Sequence, residues 1–127
     1  MNIIASNSFL MMQRSMEFLW SKQACLLDNI ANVETPGYKT KYVTFEESLR
    51  SAILSSAEEG ISTAAIREAI EDTPVVIHEA QESTRMDDNG VNITEQSVEL
   101  ARNGYQLQYV MDALSNDIST IRSVIRG

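Results

Sequence analysis

The sequence predicts a mainly α-helical fold. Long N- and C-terminal helices pair as an antiparallel coiled-coil-like layer, joined by a short, partly irregular middle of small helices. Three observations predict it. Apolar residues recur at alternating steps of three and four near both ends of the chain. Aromatic content is 6% against 43% hydrophobic, and such a composition of Leu, Ile, Val, Ala and Met suits packed helices better than a β-sandwich. The chain has 127 residues, enough for one folded unit and cramped for two.

The first helix is expected over residues 8–32, with Ser8 as its N-cap. Phe9, Met12, Met16, Leu19, Gln23, Leu26 and Ile30 form a coiled-coil seam with one polar position. Met11, Phe18 and Cys25 form a second apolar row, so the helix is sticky on more than one side. It ends near Asn32, a residue that tolerates the left-handed conformation. Thr35 precedes proline and is pushed to an extended shape. Pro36-Gly37 fits the centre of a type II turn, giving a stiff, directed exit from the helix.

Thr44 and Glu47 make a capping-box pattern for a short helix carrying Phe45, Leu49, Ala52 and Ile53, ended by Gly60. Ser62 caps another short helix through Ile66 and Ile70, stopped by Pro74. Val75–Glu79 has strand composition and residues 87–90, Asp-Asp-Asn-Gly, signal a turn, which leaves room for a small β element in 75–93. The last helix is expected over 94–126, capped by Asn92 with Glu95 or by Thr94 alone. Leu100, Gly104, Leu107, Met111, Leu114, Ile118, Ile121 and Ile125 form its seam. At 1.5 Å per residue it spans roughly 50 Å. Gly104 in that seam implies a close helix approach. Three parts follow: a coiled-coil helix and turn (1–39), a partly flexible acidic middle (40–93), and a second coiled-coil helix (94–127).

Net charge is −8, which argues against a nucleic-acid partner. Residues 34–93 hold twelve acids against five bases, while the two ends are nearly neutral. The ends are suited to meeting protein and the middle to meeting water. With Cys25 alone, neither an intramolecular disulfide nor a cysteine metal cluster is available. No apolar run approaches the ~20 residues of a membrane span. The first ten residues lack the basic start and apolar stretch of a cleaved secretory signal.

No catalytic, cofactor or metal site emerges. His78 has no partners at recognisable spacing and reads as a surface or strand-packing residue. A calcium-loop alignment of Asp87, Asn89 and Gly90 leaves Gln96 where the bidentate carboxylate belongs, so a turn feeding a helix cap is the better reading. Asn92-Ile93-Thr94 matches a glycosylation acceptor that carries little weight without a secretory signal. Cys25 reads as a small packed hydrophobe.

The stretch Asn29-Ile30-Ala31-Asn32, two residues, then Thr35-Pro36-Gly37-Tyr38 resembles the N-terminal signature of the bacterial flagellar rod and hook family. Leu100, Ala101, Asn103, Tyr105 and Gln106, with Tyr109 one turn on, resemble a second signature of that family; its members often carry a bulkier residue where Gly104 stands. The short chain is similar to the proximal-rod members. The two signatures cover about half the chain.

The resemblance implies a structural, non-enzymatic role. It implies export through the flagellar type III apparatus without a cleaved signal, and residence in the basal-body rod. The implied partners are other rod subunits and the membrane-ring and export base, in a hollow hetero-oligomeric helical assembly without membrane insertion, needed for motility. On that reading Asn29 and Asn32 bond backbone at a crowded helix junction, Pro36-Gly37 fixes the exit and Tyr38 packs against it. Two alternatives stay open: another proximal-rod protein of the family, and a soluble helical adaptor or export chaperone that dimerises through its seams.

Overall fold

The computed structural model describes residues 6–45, 49–51, 63–80 and 89–127. Two long helices dominate: α1, Asn7–Ala31, and α3, Ile93–Arg126. Between them in the chain lie β1 (Lys41–Thr44), α2 (Thr63–Asp72) and β2 (Val76–Glu79).

The caps explain where α1 begins and ends. Its N-cap is Ser6, not the expected Ser8: the Ser6 hydroxyl accepts the Phe9 N–H at 3.1 Å, satisfying an otherwise orphaned donor. At the other end Asn32 has φ −107° and ψ 18°, so it closes the helix without going left-handed. Its side-chain amide turns back and donates to the Asp28 carbonyl at 2.8 Å. The positive φ moves on to Gly37, at 75°. The Tyr38 N–H reaches the Thr35 carbonyl at 3.3 Å, as a type II turn centred on Pro36-Gly37 requires. In α3, Asn92 is the N-cap and accepts the Glu95 N–H at 3.2 Å.

α1 and α3 pack antiparallel. Three contacts fix their register: Asn29 with Gln96 at 2.9 Å, Lys22 with Glu99 at 3.3 Å, and Asn103 with the Leu19 carbonyl at 3.0 Å. Carried along at 1.5 Å per residue, that register sets Asn7 opposite about residue 115. The final turns of α3 therefore run past the first helical residue of α1.

The core sits where the middle segment covers this pair. Phe18 and Leu19 of α1 and Leu107 of α3 meet Phe45, Leu49 and Ile70. The Phe18 and Phe45 rings stack with centroids 5.5 Å apart. Phe45 is 1% exposed, so the middle segment completes a core that the two helices alone would leave open. Arg14 ties the layers together. From α1 its guanidinium donates to the carbonyls of Ile70 and Thr73, the orphan acceptors at the end of α2. It also lies over the Phe45 ring, 5.4 Å from the centroid.

β1 and β2 form a two-stranded antiparallel sheet with Tyr42 opposite His78. Their rings stack at 5.1 Å, and Thr44 Oγ1 lies 2.8 Å from His78 Nε2. β2 falls in the stretch with strand composition. Its partner was hidden because Lys41–Thr44 is only four residues long and Thr44 reads as a helix cap. After β1, the Phe45 carbonyl accepts the Leu49 N–H at 2.8 Å. Glu47, Ala52, Ile53, Gly60 and Ser62 lie outside the described residues.

Gly104 corrects the sequence expectation. A Cβ built there meets nothing within 4 Å, and the face of α3 turned to α1 carries Asn103 and Leu107 instead. Neighbouring residues stand about 100° apart on a helix, and the buried face takes the step of four from Leu107 back to Asn103 in place of the step of three back to Gly104. Gly104 is thus an exposed helix glycine with no close approach to protect. Gly104→Ala is expected to raise stability by about 0.5–1 kcal/mol, read as a higher urea midpoint with unchanged slope.

Candidate functional site

The junction after α1 is built on one side chain. Asn29 is 0% exposed. Its Nδ2 donates to the Lys41 carbonyl at 2.8 Å and to Gln96 Oε1 at 2.9 Å. Its Oδ1 accepts the Lys41 N–H at 2.9 Å and the Tyr38 hydroxyl at 3.1 Å. An asparagine amide has two donors and two acceptor sites, and here all four are used. The pair of bonds to Lys41 copies a β-ladder: the amide takes the place of a neighbouring strand along β1. One residue thus joins α1 to β1, to the exit turn and to α3.

The exit turn is held from a second side by Asn89, also 0% exposed. Asn89 Nδ2 donates to the carbonyls of Asn32 at 2.9 Å and Thr35 at 2.6 Å. Its Oδ1 accepts the Val91 N–H at 2.8 Å. The Gly90 N–H donates to the Tyr38 carbonyl at 3.1 Å. Thr35 Oγ1 closes the turn internally on Asn32 Oδ1 at 3.0 Å. Outside, Lys41 Nζ pairs with Asp28 at 2.9 Å. The segment before α3 therefore clamps the turn after α1.

A third fully buried asparagine, Asn103, lies in the helix seam. Its Nδ2 reaches the Leu19 carbonyl and, at 2.8 Å, Gln23 Oε1. The one polar position in the α1 seam thus meets a polar residue across from it.

Of the residues singled out by sequence, Asn29, Asn32, Thr35 and Tyr38 converge on the junction. Ile30 is half-buried beside it, while Ala31, Pro36 and Gly37 face outward. Among the seam residues, Phe9, Leu19, Leu26 and Leu107 are buried, and Met12, Met16, Leu100, Leu114 and Ile121 are half-buried. Met111, Ile118 and Ile125 are 49%, 48% and 78% exposed. Tyr105 and Tyr109 are 77% and 76% exposed. They stand at the rim of an apolar cleft of about 440 Å³, floored by Met11, Phe18, Phe45 and Val110. Sequence reasoning missed Lys41, Asn89 and Gln96 at the junction. The Asn-Gly turn signal marked Asn89 as a local feature and gave no sign of its reach back to residues 32 and 35.

Among the described residues no group of His, Cys, Asp and Glu could hold a metal, and no helix is long and apolar enough to cross a membrane. Cys25 is buried next to the junction. Burial pushes its thiol above the ordinary value of 9.0, with Asp28 adding and Lys41 opposing. Burial likewise holds the Tyr38 phenol above its ordinary 10.0. The hydrogen bond to Asp28 raises Lys41 above 10.5.

Comparison with known proteins gives the following. No protein-family model matches the chain. It is 28% identical to the flagellar basal body rod protein FlgB of Bacillus subtilis (strain 168) over 109 residues, 84% of this chain and 83% of that protein. With FlgB of Salmonella typhimurium it shares 21% over 124 residues, 91% of this chain and 90% of that protein. With FlgB of Borrelia hermsii it shares 43% over 49 residues, 39% of this chain and 36% of that protein.

Two outcomes are expected. Asn29→Leu keeps the branched shape but leaves four hydrogen-bonding groups, partly or fully buried, without their partner, so it should cost about 3–5 kcal/mol in urea unfolding. The three raised groups act on the alkaline side. Each binds its proton more tightly folded than unfolded, so its contribution is complete below the unfolded value and lost as pH rises through the folded one. Stability should be flat through neutral pH and fall once pH passes 9.0, the ordinary thiol value. Tyr38→Phe should remove part of the slope above 10.0.

Proposed function

Because the chain belongs to the FlgB family of flagellar basal body rod proteins, we propose that it is a structural, non-enzymatic subunit of the proximal rod. It assembles with other rod proteins into a hollow helical drive shaft on which motility depends. It reaches that place through the flagellar type III export apparatus without a cleaved signal, and its partners are other rod subunits and the membrane-ring and export base.

The observation that carries this reading is the uncovered end of α3. Met111 and Ile118 are about half exposed and Ile125 is 78% exposed, the last two on the part of the helix that runs past Asn7. An apolar stripe on one end of a subunit, with an apolar cleft near its middle, suits head-to-tail contacts. Contacts of that kind that do not close generate a helical filament. In this proposal 1–39 and 94–127 supply the inner helical layer, and the acidic 40–93 faces outward. The junction at Asn29, Asn32, Thr35, Pro36, Gly37 and Tyr38 sets the angle between the two.

The adaptor reading draws on the same stripe, since a soluble dimer could also cover it. Placing a photo-crosslinking residue at Ile125 in motile cells separates them. Crosslinks to other axial proteins in the basal-body fraction are expected. A homodimer confined to the soluble fraction would replace the rod reading with the adaptor. For the junction the test is Gly37→Val. A Cβ there meets nothing, so the strain is confined to a β-branched residue at φ 75°. Swimming should be impaired with expression and export nearly intact; normal swimming sinks the assigned role of the turn.

A further inference from the structure

We propose that Asn89-Gly90 is a deamidation site that the fold protects, and whose modification in the open chain permanently disables the clamp on the exit turn. The reaction is intramolecular. The backbone nitrogen of residue 90 loses its proton and attacks the side-chain carbonyl carbon of Asn89, and the amide nitrogen leaves as ammonia. The cyclic imide then takes up one water, opening to aspartate or, through the other carbonyl, isoaspartate. Glycine after asparagine is the most permissive follower, because no Cβ shields the attacking nitrogen.

Every group the reaction needs is engaged in the folded chain. The Gly90 N–H is held by the Tyr38 carbonyl at 3.1 Å. The leaving amide nitrogen is anchored on the Asn32 and Thr35 carbonyls. Oδ1 is bound by the Val91 N–H. Asn89 is 0% exposed, so neither a base nor water reaches it. Swinging the side chain toward residue 90 breaks the bonds that hold the 32–38 turn, and reaction therefore requires local opening.

The product cannot close again. In aspartate an acceptor oxygen replaces Nδ2 and faces two carbonyl oxygens where the bonds were 2.9 and 2.6 Å. Isoaspartate also lengthens the backbone inside the clamp. The site thus separates chains that fold promptly from chains left open, by a chemical mark at the turn that orients the terminal helices.

The experiment follows aspartate and isoaspartate at position 89 by peptide mapping of the full chain in mildly alkaline buffer, native and in urea. Native accumulation should be slower by about tenfold or more. Equal rates, or no accumulation in urea, would overturn the proposal. The modified pool is then purified, returned to native buffer and probed with trypsin, which reads the turn through cleavage after Lys39 and Lys41. Modified chains should be cut there several-fold faster than unmodified chains carried through the same steps. Matching cleavage rates would refute the permanent loss of the clamp. A Gly90→Ala chain, in which the added Cβ hinders ring closure, should lag the parent in urea; equal rates there would show that another route modifies position 89.

Discussion

The four-way saturation of the Asn29 amide is the constraint on which the rest of the structure depends. An amide side chain has the same donor and acceptor pair as a peptide unit, so it can complete a strand edge as it does at Lys41. A hydrocarbon could take the same branched shape but would leave the Lys41 N–H and carbonyl unpaired in a part-buried site, which costs more than the burial gains. Asn29 also takes the Tyr38 hydroxyl and the Gln96 amide. The turn, the sheet and the second helix therefore meet at a point that tolerates only one geometry.

The main apolar packing lies about three turns away along α1 and does not determine that point. The Phe18, Phe45, Leu49, Ile70 and Leu107 cluster supplies most of the water-excluding surface, and such clusters tolerate repacking when volume is kept. Buried amides do not, because each must find its partners at fixed distance and angle. Among the described residues, the largest fully buried side chains besides Phe45 are Asn29, Asn89 and Asn103. The core provides cohesion and the asparagines provide specificity. The ends of the chain can then be apolar on several sides without the pair choosing a wrong register.

Much of this was legible in the sequence because it is local. Alternating three-and-four steps announced both long helices. Asn92 with Glu95 marked one start, and Thr-Pro-Gly marked the exit turn. What escaped depends on distance along the chain or on small angular differences. Asn89 acts on carbonyls 54 and 57 residues away, and no spacing rule reports that. β1 is too short for alternation to speak, and it exists because Asn29 and β2 flank it. Ser6 and Ser8 are equivalent by type, and only the folded chain shows that it is Ser6 whose hydroxyl accepts the Phe9 N–H. Gly104 was assigned to the seam because a step of three before Leu107 fits the alternation as well as the step of four that Asn103 takes.

The Gln23–Asn103 pair has a mechanical consequence. Two helices held only by leucines and methionines can slide along each other, since one apolar ridge replaces the next. Here a slip of one turn, about 5.4 Å, would carry Asn103 away from the Leu19 carbonyl and Gln23 and set Leu107 or Leu100 against them. Gln96 would leave Asn29 in the same movement. Two amide contacts separated by two turns of α3 thus act as keys in a keyway. The helix pair resists longitudinal shear in steps rather than by friction, and load applied along one helix passes to the other without displacement until both keys fail together.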